Sequence, residues 1–209
     1  MSDIIQSEEY KGYTIEVYPD NFLDEGPRDW DNLGIMACFH KRYNLGDKDH
    51  EINFNDFSSW SEMEEYIWKK LDAAIVLPLH LYDHSGITIK IGDFHGLLPQ
   101  GHAHFDSGQV GFIFVTKKTL KKEYSLKKIS KKVIEKAKKI LEEEVVAYDQ
   151  YLCGEVYGFV IKDFDNEEVD SCWGCYGDPD KYIIPNCKET IDHILASENP
   201  GLAEISSSC

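Results

Sequence analysis

Three clusters of residues in this sequence have the types and spacing that chemistry needs. The first is Cys172-Trp173-Gly174-Cys175, followed by Cys187 and His193. Three cysteines and a histidine would suit a tetrahedral zinc site, although the closing Cys-x5-His interval is at the wide end of zinc-finger spacing. A C-x-x-C pair that works as a redox dithiol opens a helix after a strand. Here the pair ends a strand-like run beside Gly and Asp-Pro, which favours zinc, or thiols packed as small apolar groups, over redox work. The second cluster is His95, His102, His104 and Asp106 in DFHGLLPQGHAHFDSG, preceded by Asp83-His84. Those six residues would serve a metal-dependent hydrolase if folding brought them together. No accompanying hydrolase signature completes the set, and an exposed polar loop accounts for the same residues. Walker loops, dinucleotide fingerprints and paired carboxylates are absent from the sequence, so binding is favoured over catalysis.

The third cluster is KKTLKKEYSLKKISKKVIEKAKK, from Lys117 to Lys139. It holds 11 of the 22 basic residues and two acids, so it carries +9 while the other 186 residues carry −25. A solvated helix face explains many charge runs, but two details oppose that here. The lysines precede Glu142, Glu143 and Glu144, against the helix macrodipole. On one continuous helix, the pairs Lys127/Lys131, Lys128/Lys132 and Lys132/Lys136 would each cost roughly 0.2–0.5 kcal/mol. Lys131/Glu135 and Glu135/Lys139 offset part of this. A sequence that accepts such conflicts has another use for the charge. It would either pair with the chain's own acids or grip phosphates or an acidic protein. Lys127, Lys128, Lys131 and Lys132 should lead such a contact, because they crowd the less apolar side.

The elements that must position these residues predict an α+β fold. A first strand is expected in Tyr10–Asp20 and a second in GIMACFHKRY. Ser59 and Glu62 form a capping box, and Met63, Ile67, Leu71 and Ala74 extend one apolar stripe. They predict a helix over about 58–77, ended by Pro78. Two strands in PLHLYDHSGITIKIG turn at residues 83–86, and GQVGFIFVT is another strand. Apolar spacing from Leu126 to Leu152 predicts a second long helix over about 125–150. GEVYGFVIKDFDNEEVDSCWGCYG reads as two strands joined at residues 163–167, and TIDHILAS as a short helix. The whole is expected to be a single domain, 1–209, with an antiparallel or mixed sheet, two main helices and a loose tail from about 197. The opening residues have acids where a signal peptide needs bases, and no apolar run is long enough to span a bilayer. A cytoplasmic chain with reduced cysteines and no membrane partner is therefore expected. With a net charge of −16, nonspecific nucleic-acid binding by the whole surface is disfavoured.

Several phrases together carry a resemblance: Asp31-Asn32-Leu33-Gly34 through CFHKRYNLGD, YDHSGIT, DSGQVGFIFV, YDQYLCGEVYGFVI and VDSCWGCYG. They resemble a family of small proteins encoded by phages and conjugative elements of Gram-positive bacteria. The stretch around His102 and the second cysteine, Cys175, depart from that pattern. The resemblance implies a bacterial host and a role against host defence. A host nuclease, either a CRISPR effector or a restriction enzyme, would be the partner, with or without its nucleic acid. An acidic body would then act as a phosphate mimic, and the Lys-rich helix would hold an acidic patch or a guide–target backbone. No cofactor is implied. The alternatives are the metal-dependent hydrolase and a nucleic-acid-binding module using the basic helix.

Overall fold

The computed structural model describes residues 3–21, 25–97 and 105–198. Along the chain run β1 (Gln6–Tyr10), β2 (Tyr13–Pro19), β3 (Ile35–Cys38), α1 (Trp60–Lys69), β4 (Ala73–Asp83), β5 (Ile87–Ile91) and β6 (Ser107–Thr116). They are followed by α2 (Lys117–Glu123), α3 (Lys131–Cys153), β7 (Val156–Lys162), β8 (Glu168–Tyr176) and α4 (Ile184–Glu198). The fold is α+β, as expected. Its strands form two antiparallel sheets, ordered β1-β2-β7-β8 and β3-β6-β4-β5. Where one domain over 1–209 is expected, the chain forms two compact units. The central unit is 25–153; the terminal unit joins 1–24 to 154–209.

The central sheet is covered on both faces, which explains why β6 is apolar without alternation. Val110 to Val115 are all buried. On one face Met36, Leu79, Leu81 and Ile113 pack with Ala137, Leu141, Val145 and Tyr148 of α3. On the other, Ala37, Val76, Phe112 and Phe114 pack with Met63 and Ile67 of α1. Gly111 sits where β6 meets β3, opposite Cys38. A Cβ there would lie 1.9 Å from the Ala37 carbonyl oxygen. Gly111→Ala should therefore cost about 1–3 kcal/mol through overpacking, read as a lower urea midpoint with an unchanged slope.

A part-buried ion cluster ties loop 25–34 to α3. The Arg28 side chain, 6% exposed, donates from Nε and Nη2 to the two Asp47 oxygens, at 2.7 and 2.9 Å. It also donates from Nη1 to Glu144 Oε2 at 3.0 Å and from Nη2 to the Gly34 carbonyl at 2.7 Å. Glu144 further accepts the backbone N–H groups of Leu33 and Gly34, and Asp47 that of Met36. Asp149 makes a similar clamp, accepting the Thr88 hydroxyl at 2.6 Å and the Ile89 N–H at 2.7 Å.

In the terminal unit, Tyr13, Ile15, Val17 and Ile161 form a core with Ile183, Ile184, Cys187 and Ile191. On β2, Glu16 meets Lys162 at 2.7 Å and the Tyr18 hydroxyl at 2.5 Å. Lys162 and then Tyr18 hold the Glu16 carboxyl below its ordinary range, while Tyr18 is pushed up to about 12.

Several boundaries differ from the sequence expectations. The segment read as one strand from Tyr10 is the end of β1 and all of β2, turning through the left-handed residues Lys11 and Gly12. The helix expected over 58–77 ends at Lys69: Asp72 has φ 50, and Ala73 onward pairs with β6 as strand. Pro78 is tolerated inside β4 because its own carbonyl accepts the Gly92 N–H just past β5, so its missing donor falls at a ladder end. The helix expected over 125–150 begins only at Lys131, as α3, and the separate short α2 precedes its expected start. Ser125 takes φ 51, and its N–H and that of Leu126 close α2 onto the Lys122 and Lys121 carbonyls. Ser130 then starts α3, its hydroxyl accepting the Val133 N–H at 3.4 Å. The last helix is longer than TIDHILAS, beginning at Ile184; the tail expected from about 197 lies almost wholly outside the described residues. No described helix is long and apolar enough to cross a membrane.

Candidate functional site

The break between α2 and α3 changes what the lysines can do. Lys127 and Lys128 lie in the connecting loop, and Lys131 and Lys132 in the first turn of α3. The repulsive pairs Lys127/Lys131 and Lys128/Lys132 therefore do not arise as helical neighbours. All four side chains are exposed, and among the described residues none is ion-paired to an acid. Other lysines of the segment do have partners. Lys117 Nζ lies 2.5 Å from Asp72, Lys138 Nζ lies 3.7 Å from Glu142, and Lys136 Nζ stands 5.1 Å from the Tyr124 ring centroid.

Lys127 and Lys128 line a surface depression of about 610 Å3 together with Lys117, Lys121, Ile129 and Ile134. Its remaining wall is Trp68 of α1, with Ala73 and Ala74 at the start of β4. The register of the central sheet makes this assembly. Ala73 pairs with Thr116, and the Lys117 N–H donates to the Asp72 carbonyl at 3.0 Å. The end of α1 and the start of α2 are thereby held side by side. Trp68 is 40% exposed, and its indole N–H donates to Glu64 Oε1 at 3.4 Å. Lys121 belongs to the Lys-rich run, but Trp68 had no signal in local sequence pattern, because it lies some fifty positions before the lysines it joins. Four ammonium groups around an apolar, aromatic floor can hold a polyanion that also has apolar surface to bury.

The hydrolase set is distributed differently. His84 Nδ1 lies 3.3 Å from Asp106, and His95 Nδ1 lies 3.3 Å from Asp93, a residue the sequence pattern did not single out. Asp83 is engaged elsewhere, by Arg42 and by the Tyr43 hydroxyl. His102 and His104 lie outside the described residues. His80, next to this region on β4, has its pKa lowered by burial.

Cys172, Cys175 and Cys187 are thiols; Cys187, on α4, is within electrostatic reach of the other two, which a bulge in β8 turns toward one face. Cys175 pairs with Tyr157 and Cys172 with Phe159, so three steps on β8 match two on β7. Gly174, with φ 72, supplies the turn. Residues three apart on an unbroken strand would face opposite ways, and the extra residue cancels that. Burial, and next the neighbouring Cys172, pushes the Cys175 thiol up to about 11. Burial, and next Cys175, pushes Cys187 up to about 12. His193, the fourth member of the zinc expectation, has a side chain 80% exposed with Glu189 at 4.0 Å. Among the described residues, no group of three or more His, Cys, Asp or Glu side chains is arranged to hold a metal ion. Comparison with known proteins finds no matching family model, no similar curated protein and no similar solved structure.

Proposed function

We propose that the protein is a mobile-element anti-defence inhibitor that works by binding a host nuclease complex, a CRISPR effector or a restriction enzyme, rather than by catalysis. The observation that carries this is the segregation of charge between the two units. The terminal unit has 18 acids against 4 bases, a net −14, whereas the central unit has 20 acids against 18 bases, a net −2. Almost all the excess negative charge thus belongs to one compact unit, and the basic segment belongs to the other. A unit of that charge complements the positively charged channel in which a nuclease holds its nucleic acid. The lysine-lined depression provides a second contact of opposite sign, for an acidic patch or for the nucleic acid of the complex.

Purified protein should inhibit cleavage by at least one CRISPR effector or restriction enzyme from a Gram-positive host, and should co-elute with it. Glu9, Asp165 and Glu167 are exposed acids of the terminal unit. Changing them together to Gln, Asn and Gln removes three charges. At roughly 0.2–0.5 kcal/mol per exposed charge, the inhibitory concentration should rise about three- to tenfold at low salt. Absence of binding and inhibition across a panel of both enzyme classes would reject the proposal.

A further inference from the structure

We propose that the depression beside Trp68 is a binding site for single-stranded nucleic acid, with a base stacked on the indole and flanking phosphates held by Lys117, Lys121, Lys127 and Lys128. This takes the lysine surface of the proposed inhibitor as its starting point and assigns it a ligand class. Three features of the site favour that ligand. First, Trp68 is 40% exposed with its N–H already given to Glu64, so the accessible remainder of the side chain is apolar ring. A ring surface of that kind offers stacking, not hydrogen bonding. Second, the lysines that line the depression come from two separate segments, α2 and the loop after it, and share its lining with Trp68, Ala73, Ala74, Ile129 and Ile134. Base faces next to phosphates have the same alternation of apolar and anionic surface. Third, the lysines at 121, 127 and 128 have no ion-pair partner among the described residues, so phosphates displace no existing bridge there; at Lys117 they compete with an exposed Asp72.

Other polyanions fit less well. A duplex keeps its base faces stacked inside, leaving the indole unused. An acidic protein segment would satisfy the lysines, yet its carboxylates bring no flat apolar partner for the ring. Recognition would be tolerant of sequence, since every base has a π-face.

The test uses the full chain and a fluorescently labelled twelve-nucleotide oligo(dT), with oligo(rU), a duplex of matched length and a poly-glutamate peptide as comparators. Binding is followed by anisotropy at several salt concentrations. Loss of base stacking should weaken oligo(dT) binding about 5- to 150-fold in Trp68→Ala. Trp68→Leu, which keeps apolar bulk in case the alanine variant does not fold, should weaken it similarly. Trp68→Phe should retain most of the affinity. None of the three should change the salt slope, because the phosphate contacts remain. Lys121→Gln/Lys127→Gln/Lys128→Gln should instead make the slope of log K against log salt shallower by about 2, at roughly 0.7 per phosphate for a single strand. Preference for oligo(rU) over oligo(dT), or the reverse, identifies the strand and supports the site either way. Three results would overturn it: no oligonucleotide binding at 50 mM salt, a duplex or poly-glutamate bound as tightly as the single strand, or affinity indifferent to Trp68→Ala and Trp68→Leu in folded protein. Nuclease inhibition is not a readout, so failure here leaves the inhibitor proposal to its own test.

Discussion

Replacing Arg28 with Met should lower the stability of the central unit by about 2–4 kcal/mol, the cost of leaving two part-buried carboxylates without their counter-charge. Arg28 is the only cation that bonds both Asp47 and Glu144 among the described residues. Buried ion clusters can sometimes be exchanged for apolar side chains at little cost. That exchange should fail here. Asp47 and Glu144 also accept the N–H groups of Met36, Leu33 and Gly34, and an apolar substitute would leave those donors unpaired at roughly 1–3 kcal/mol each. Glu144→Gln, which keeps one carbonyl acceptor, should cost less than Arg28→Met and less than Glu144→Leu. Urea unfolding followed by tryptophan fluorescence and circular dichroism would rank the three. A loss below about 1 kcal/mol for Arg28→Met, within the range of an ordinary hydrogen bond, would show that the cluster is dispensable.

The second large effect is electrostatic. Lys127, Lys128, Lys131 and Lys132 changed together to Gln keep helix propensity and lose four charges. If each neutralises a phosphate of the partner complex, they contribute about −3 to the slope of log K against log salt, so wild-type affinity should fall roughly 60-fold more than the variant's between 50 and 200 mM salt. Stability should move the other way or not at all. None of the four is ion-paired among the described residues, and Lys132/Lys136 repulsion on α3 is relieved. A variant that loses thermal stability while keeping affinity and slope would show that the lysines serve the protein's own acids. Lys127→Gln/Lys128→Gln alone should account for more of the lost affinity than Lys131→Gln/Lys132→Gln, because only the first pair lines the depression beside Trp68.

Local pattern read well wherever the chain obeys a local rule. Ser59 caps α1 by accepting the Glu62 N–H, and Glu62 reaches back to the Ser58 N–H. Met63 and Ile67 are fully buried, as their spacing requires. The stripe misled at Leu71 and Ala74, because a turn with positive φ at Asp72 converts a helical run into a buried strand. Apolar alternation cannot distinguish those outcomes in a short run such as AAIVL. Leu126 and Ile129 fit the same helical spacing yet lie in the loop between α2, which closes at a positive-φ Ser125, and α3, which starts at Lys131. The lysines were legible as charge. Trp68 was not, since only the pairing of Ala73 with Thr116 brings α1 beside α2. The phrases that carry the family resemblance have a structural reason of their own. Leu33-Gly34, Asp47 and Thr88 are partners of the Glu144, Arg28 and Asp149 clamps. Those three stretches help hold the central unit together, and none of the quoted phrases contains a residue that lines the depression.

The terminal unit is assembled from both sides of the central one in sequence, which sets an order of events on the ribosome. Ile15 of β2 needs Ile161 of β7 as its neighbour in the sheet. At about 5–20 residues per second, that separation of 146 positions corresponds to roughly 7–30 s of translation. Throughout that interval the β1–β2 hairpin has no third strand, and Ile15 and Val17, both 0% exposed in the finished sheet, have nothing to cover them. A nascent hairpin of this kind is a natural client for a ribosome-associated chaperone, whereas the continuous central unit can close as soon as α3 emerges.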